Sequence, residues 1–299
     1  MAGEVLDASA PARARQGTTW LTRALRESIV TWVGLAFFLV IALFPIAVMA
    51  VTSFKQGGDL IDLKTPPLWF HRAPTFSHYT YLFQQTKFLT WAGNTIVISF
   101  FTVVITLILA VPAAYALARL HFPNADNFGI GIFLTYLVPP ALLFLPLTII
   151  LSRYVNLIDT KWALVVVYPT FTTPFCVWLL MGFFKTIPVE VEEAARVDGC
   201  SRLQAILRVV LPLSIPGLLT VAIFAFTLGM QEYIYALTFI SNSLEKPVTI
   251  GVTSDLIRGD EYFWGELMAG ALLAGIPVAI LYNFFLDHFV EGISQGAIK

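Results

Sequence analysis

The residues best placed to do chemistry lie in one polar stretch, KTIPVEVEEAARVDGCSRLQAILRVVLPLSIPG, which runs from Lys185 to Gly217. Its chemistry is recognition rather than catalysis. Thr186 can cap a helix and Pro188 suits a first turn. Glu190, Glu192 and Glu193 follow in the early turns, where the helix dipole favours negative charge. Glu192 and Arg196 are spaced i, i+4. Gly199 supplies a stop, Ser201 a fresh cap, and Pro212 and Pro216 open the next apolar run. Ala194 and Ala195 let a second surface approach to backbone distance, and the glutamate beside them offers a charged anchor. So short a helix has little stability alone. It reads either as a docking helix or as an ordinary amphipathic connector.

Nothing else in the chain has the spacing of a catalytic or metal centre. The four histidines are scattered and form no H-E-x-x-H pattern. Cys176 lies in an apolar run and Cys200 in the polar stretch, so neither a disulfide nor a zinc site is expected. No Walker A sequence occurs, so the chain is not expected to be an enzyme or to hold a cofactor. The remaining candidates are polar groups inside apolar runs: Asn94, Thr95, Tyr136, Gln231, Glu232, Tyr235 and Asn283. Aromatic faces, amides and carboxylates are what hold a sugar, but the same residues also glue membrane helices together. Both readings stand at this point.

The elements that must carry these residues follow from composition. Of 299 residues 58% are apolar and only 12% charged, with a mean hydropathy of +0.79. A soluble domain carries about 25% charged residues. The bilayer is therefore the fitting solvent, and the net charge of −1 argues against a nucleic-acid partner. The expected fold is an all-α membrane protein with six transmembrane helices near 29–52, 92–118, 128–151, 162–184, 213–240 and 266–288. Glu232, Glu266 and Asp287 fall towards span ends. Pro139, Pro140 and Pro146 interrupt the third run, Pro169 and Pro174 the fourth, and Pro277 the sixth. They are either packing kinks or marks of a path that changes shape. Residues 1–28 read as a disordered tail without a cleavable signal peptide, and Arg13, Arg15, Arg23 and Arg26 put that tail and both termini in the cytoplasm. The domain expected over 29–290 contains the loop 185–212 between the fourth and fifth spans and is followed by a cytoplasmic tail, 291–299.

Glu193-Ala194-Ala195-x-x-x-Gly199, followed after nine residues by Val209-Val210-Leu211-Pro212, resembles the EAA signature of ABC-importer permeases. Only the first position of the usual I-x-L-P ending differs. MQEYIYAL, Met230 to Leu237, resembles the W-N-[DE]-F-x-x-A-L motif of carbohydrate permeases, with Met230, Gln231 and Tyr233 departing from it. The tail GISQGAIK is similar to the G-x-T-x-G-A-V-K ending of the sugar-permease branch, of the smaller, second-subunit maltose permease type. The resemblance implies a transmembrane subunit forming half of a pore for a sugar-like solute. The alternatives are a polyol, glycerol phosphodiester or peptide solute, or an ion-coupled secondary transporter. It further implies a coupling helix in which Glu193 anchors to the ATPase, Ala194 and Ala195 give close approach, and Asp198 and Gly199 form the turn. Leu211 and Pro212 close the motif. Gly292, Gly296 and Lys299 would reach the ATPase interface. The implied partners are a second permease subunit, an ABC ATPase dimer that binds ATP and Mg, an extracytoplasmic solute-binding protein and membrane lipid. The implied location is the bacterial inner membrane.

Overall fold

A long apolar run has no face to turn towards water, and as a helix it satisfies its own backbone, so this sequence folds into long helices. The computed structural model describes the backbone of residues 11–297 apart from 63, 65 and 121, and side chains over 28–285 with the same exceptions. Four helices are long and apolar enough to cross a membrane: Ser28–Phe54, Phe88–Arg119, Lys161–Thr186 and Trp264–Phe285. The total reaches six if two bent pairs each count as one span. Ala125–Tyr136 and Pro140–Val155 meet at 87°, and Arg202–Leu213 and Ile215–Gln231 at 76°.

In chain order the elements begin with α1 (Pro11–Phe54), α2 (Gly57–Ile61), α3 (Ser77–Gln85) and α4 (Phe88–Arg119). The broken third run gives α5 (Ala125–Tyr136) and α6 (Pro140–Ile150), which ends in a π-helical turn, Leu151–Val155. Next come α7 (Lys161–Val167), α8 (Pro169–Thr186), α9 (Val189–Val197) and α10 (Arg202–Ala205). A second π turn, Ile206–Val210, leads through α11 (Leu211–Leu213) into α12 (Ile215–Gln231). The chain ends with α13 (Ile234–Phe239), α14 (Val248–Leu256), a small hairpin of β1 (Ile257–Arg258) and β2 (Glu261–Tyr262), and α15 (Trp264–Ala297).

Three expectations change. α1 begins at Pro11, inside the stretch expected to be a tail, where proline is well suited to a first helical position; residues 1–10 lie outside the described residues. The third run is not one straight span. Pro139 must be extended because Pro140 follows it, and at φ −58°, ψ 125° it turns the chain out of the helix. By contrast Pro112, Pro146, Pro174 and Pro277 all sit inside continuous helices. The fifth span ends at Gln231, not near 240, because Glu232 leaves the helix at ψ 136°.

The core sits where α4, α8 and α12 meet. Small side chains let the backbones approach, with Ala110, Ala114, Cys176 and Ala225 all fully buried. A hydroxyl pair, Thr106 Oγ1 to Thr172 Oγ1 at 2.7 Å, joins α4 to α8. A second cluster forms around Tyr168, Tyr235 and Phe239, and a third around Trp91, Leu82 and Leu256. In the third, Gly251 is required: a Cβ there would lie 2.3 Å from the Trp91 ring. α1 buries none of its most apolar stretch and exposes Trp32 and Phe38. That is an outer surface made for lipid rather than water.

At the end of the bundle away from α9, Lys55 Nζ donates to the Pro66 carbonyl at 2.9 Å. Asp59 accepts the backbone N–H groups of His71 and Arg72, both at 3.0 Å. These bonds, that of Arg72 foremost, hold the Asp59 carboxyl below its ordinary pKa. His78 on α3 sits between α1 and α15, with Nε2 2.6 Å from the Lys55 carbonyl and Nδ1 2.9 Å from Glu266 Oε1. With the ring protonated, the Nδ1 contact is an ion pair.

Candidate functional site

Two regions collect the sequence-predicted residues. The first is α9. Thr186 does not cap it: this residue ends α8, and its hydroxyl donates back to the Phe183 carbonyl at 2.8 Å. Pro188 occupies the cap position, extended at ψ 133°, and Val189 begins the helix. Glu190 and Glu192 lie in the first turn, as the dipole favours. The end is a Schellman closure, with Asp198 at the cap, Gly199 left-handed at φ 93° and the Cys200 N–H donating to the Ala195 carbonyl at 3.0 Å. Ser201 then starts α10 with a capping box: its Oγ accepts from Gln204 N–H and its own N–H donates to Gln204 Oε1 at 2.8 Å.

Most of α9 is exposed, and only the side carrying Glu192, buried, and Ala195, half-buried, turns inward. Glu190, Glu193, Ala194 and Val197 recur at i, i+3, i+4 and i+7, and all four are exposed. Val197 is 86% exposed, and the space around the position of a Gly199 Cβ is open. Glu192 is the opposite case. It is 7% exposed and accepts a hydrogen bond from the Tyr115 hydroxyl at 2.5 Å. Among the described residues it is not paired with Arg196, so the expected i, i+4 ion pair gives way to a contact with α4. Asp198 and Gly199 close the exposed face. Leu211 and Pro212 do not belong to it: Leu211 packs against the main core and Pro212 opens the next turn. Gly292 and Gly296 fall in the last turns of α15, beyond the described side chains, and Lys299 lies outside the described residues.

The second region lies where two helices break. The gap between α5 and α6 and the gap between α12 and α13 border one cavity of about 640 Å³. Tyr136, Gln231 and Glu232 line it, together with Phe171 and Tyr233. Gln231 is exposed and its amide has no partner among the described residues. Glu232 is committed to the fold. Its carboxylate accepts the N–H groups of Tyr235 at 2.8 Å and Ala236 at 3.1 Å, and the Tyr168 hydroxyl at 2.9 Å. From the position before the N-cap residue Tyr233, its carboxylate caps the first turn of α13.

Asn94 and Tyr235 are not brought to this cavity wall. Asn94, 5% exposed, donates to the carbonyls of Leu244 and Lys246 and accepts from Lys161 Nζ at 3.0 Å. Neighbouring Trp91 donates to the Ser243 carbonyl, and Thr95 accepts the Val248 N–H. One turn of α4 thus clamps the loop before α14. Tyr235 is fully buried and donates to the Pro140 carbonyl at 2.9 Å, holding α13 against α6. Asn283 is exposed on α15. Among the described residues no group of three or more His, Cys, Asp or Glu could hold a metal ion.

The family described as the binding-protein-dependent transport system inner membrane component matches residues 110–295. The chain is 34% identical to the inner membrane ABC transporter permease protein YcjP of Escherichia coli K12, over 89% of this chain and 94% of that protein. It is 31% identical to the diacetylchitobiose uptake system permease protein DasC of Streptomyces coelicolor, over 91% of this chain and 95% of that one. Among solved structures it is similar to a chain of a bacterial ABC transporter involved in the import of the acidic polysaccharide alginate. There the TM-score is 0.74 at 25% identity, covering 88% of this chain and 96% of that chain.

Proposed function

The chain belongs to the family of binding-protein-dependent transport system inner membrane components, and from that premise we propose that it forms half of an ATP-driven pore that imports a sugar or sugar-like solute. A family of transport permeases performs no bond chemistry, and this chain is a multi-pass inner-membrane protein of that kind. The ATP, with its Mg, is bound and hydrolysed by a separate ATPase dimer. A second permease subunit completes the pore, and a binding protein delivers the solute at the end carrying α2, α3 and α14. The α9 end and both termini face the cytoplasm.

One observation carries the reading: the exposed stripe of α9, with Glu193 beside Ala194, an open Gly199 and an unpartnered Val197. Small residues on an exposed helix allow close approach, a carboxylate provides an anchor, and Val197, 86% exposed, offers an apolar contact to a docked surface. For the solute, the helix-break cavity offers the free Gln231 amide and the aromatic rings of Tyr136, Phe171 and Tyr233, with no Lys or Arg in its lining. A neutral sugar suits that lining better than a phosphorylated solute, whose charge needs a cationic partner. The names of relatives support a saccharide in general, one of them, alginate, being acidic.

The test is recovery of the ATPase with this chain. Glu193→Ala, and Gly199→Leu at a position where a side chain is strained by about 1–2 kcal/mol, should each lower co-purification by about tenfold or more. The yield and melting temperature of the membrane bundle should stay near wild type. Wild-type recovery of the ATPase in both variants refutes the docking role.

A further inference from the structure

α9 touches the rest of the molecule at few places. It packs on α10 and on the π turn Ile206–Val210, while its other face looks outward. Two side chains of α4 reach across to it from the bundle. Tyr115 donates to the buried Glu192 carboxylate in the middle of α9. One turn further on, Arg119 Nη2 donates to the Ile187 carbonyl at 2.5 Å, just before α9 begins. The last turns of α4 therefore hold both the entrance and the centre of α9. Tyr115 is itself fixed: it is 6% exposed, lies edge-on to Phe184 at 6.3 Å, and belongs to the core cluster that contains Ile187 and Val210. Beyond that point α4 packs along α8 and α12. Those helices supply Phe171 and Gln231 to the wall of the helix-break cavity.

We propose that the Tyr115–Glu192 hydrogen bond, with Arg119 as second anchor, is the strut that delivers displacement of α9 to α4 and so to the cavity wall. The inference rests on α9 being the ATPase-docking helix. Its physical basis is the asymmetry of buried polar pairs. Among the described residues Tyr115 is the donor to Glu192, and separating them would leave a carboxylate both desolvated and unbonded. The pair resists parting, so α9 and α4 move together. Neither residue is on the exposed stripe of α9. Docking and transmission are thus carried by different side chains and are separable by mutation. Tyr115 and Glu192 are positioning residues: they touch neither solute nor nucleotide.

The experiment uses the complete importer, binding protein and ATPase included, in lipid nanodiscs. A Leu228→Cys substitution in the cavity wall is labelled with a maleimide, with and without ATP and vanadate. Labelling is read by peptide mass, so that native Cys200 is scored separately. Tyr115→Phe should retain the ATPase to within about twofold yet reduce the nucleotide-driven change in labelling about tenfold, equivalent to about 1.4 kcal/mol. Glu192→Gln, which can still accept from the tyrosine hydroxyl, should keep most of that change. An unaltered response in Tyr115→Phe overturns the strut. So does loss of the ATPase in parallel with the response, which makes the pair a matter of stability alone. A wild-type complex that carries no ATPase, or does not respond to nucleotide, instead counts against the proposed function.

Discussion

Gln231 and Glu232 are neighbours in sequence with opposite fates, and the reason is local backbone geometry. Gln231 is the last residue of α12 and keeps a free amide in the cavity, whereas Glu232 leaves the helix and caps the next one. Glu232→Ala should therefore destabilise the chain by about 1–3 kcal/mol, because two α13 N–H groups and the Tyr168 hydroxyl lose their acceptor. Gln231→Ala should leave the melting temperature unchanged and act only on transport. Thermal melts in detergent distinguish the two, and equal losses would contradict the capping role. The same contrast shows what was legible in the sequence. The α9 helix, its stop at Gly199 and the fresh cap at Ser201 were readable because capping and dipole effects act within a few residues. The partner of Glu192 was not, since Tyr115 is 77 positions away and nothing in either local sequence points to the other. Asn94 and Tyr235 misled for a related reason. A buried amide and a ligand-binding amide look alike until the carbonyls that meet them are known.

Among the elements, the long helices were legible from unbroken apolar runs, and their breaks only in part. Six prolines were marked in the third, fourth and sixth runs, but the sharp break is at Pro139–Pro140, where two adjacent rings force an extended residue. A lone proline in a packed helix leaves the axis continuous, as Pro174 does in α8. The junction of α3 with α15 has a different dependence. Both ring nitrogens of His78 face acceptors, the Lys55 carbonyl and Glu266, so the doubly protonated ring fits best. The contact with Glu266, more than that with the carbonyl, raises the His78 pKa above its ordinary 6.5 against the opposing effect of burial. The sign follows. With the folded value above the unfolded one, the stabilisation is complete below about pH 6.5 and is lost as pH rises through the folded value. Melting temperature should fall from about pH 6 to pH 9, and His78→Asn should flatten that slope. A wild-type slope in the variant would remove His78 as its source.

Taken whole, the molecule turns much of its apolar surface outward, and the stretches that stay inside are those where α4, α8 and α12 cross. The helix-break cavity is open rather than enclosed, so on the half-pore reading one copy without its partners should carry nothing across a bilayer. Reconstituted alone in liposomes, it should show no uptake of a neutral disaccharide, and uptake by the isolated chain would contradict the half-pore reading. The mostly helical architecture was available from composition because lipid leaves few backbone solutions, but the short β1–β2 hairpin departs from the all-α expectation. The bends of 87° and 76° were not, because they depend on which helix meets which.

The first of those bends has a consequence for the surrounding lipid. α5 has 12 residues, a rise of about 18 Å, against a hydrocarbon layer of about 30 Å. Phe128, Ile130 and Leu134 are exposed on it. The rest of any crossing falls to the piece from Pro140 to Val155, which leaves at 87°. Thickness on this flank is thus shared between two differently inclined arms, and the length of the host lipid's tails bears on both.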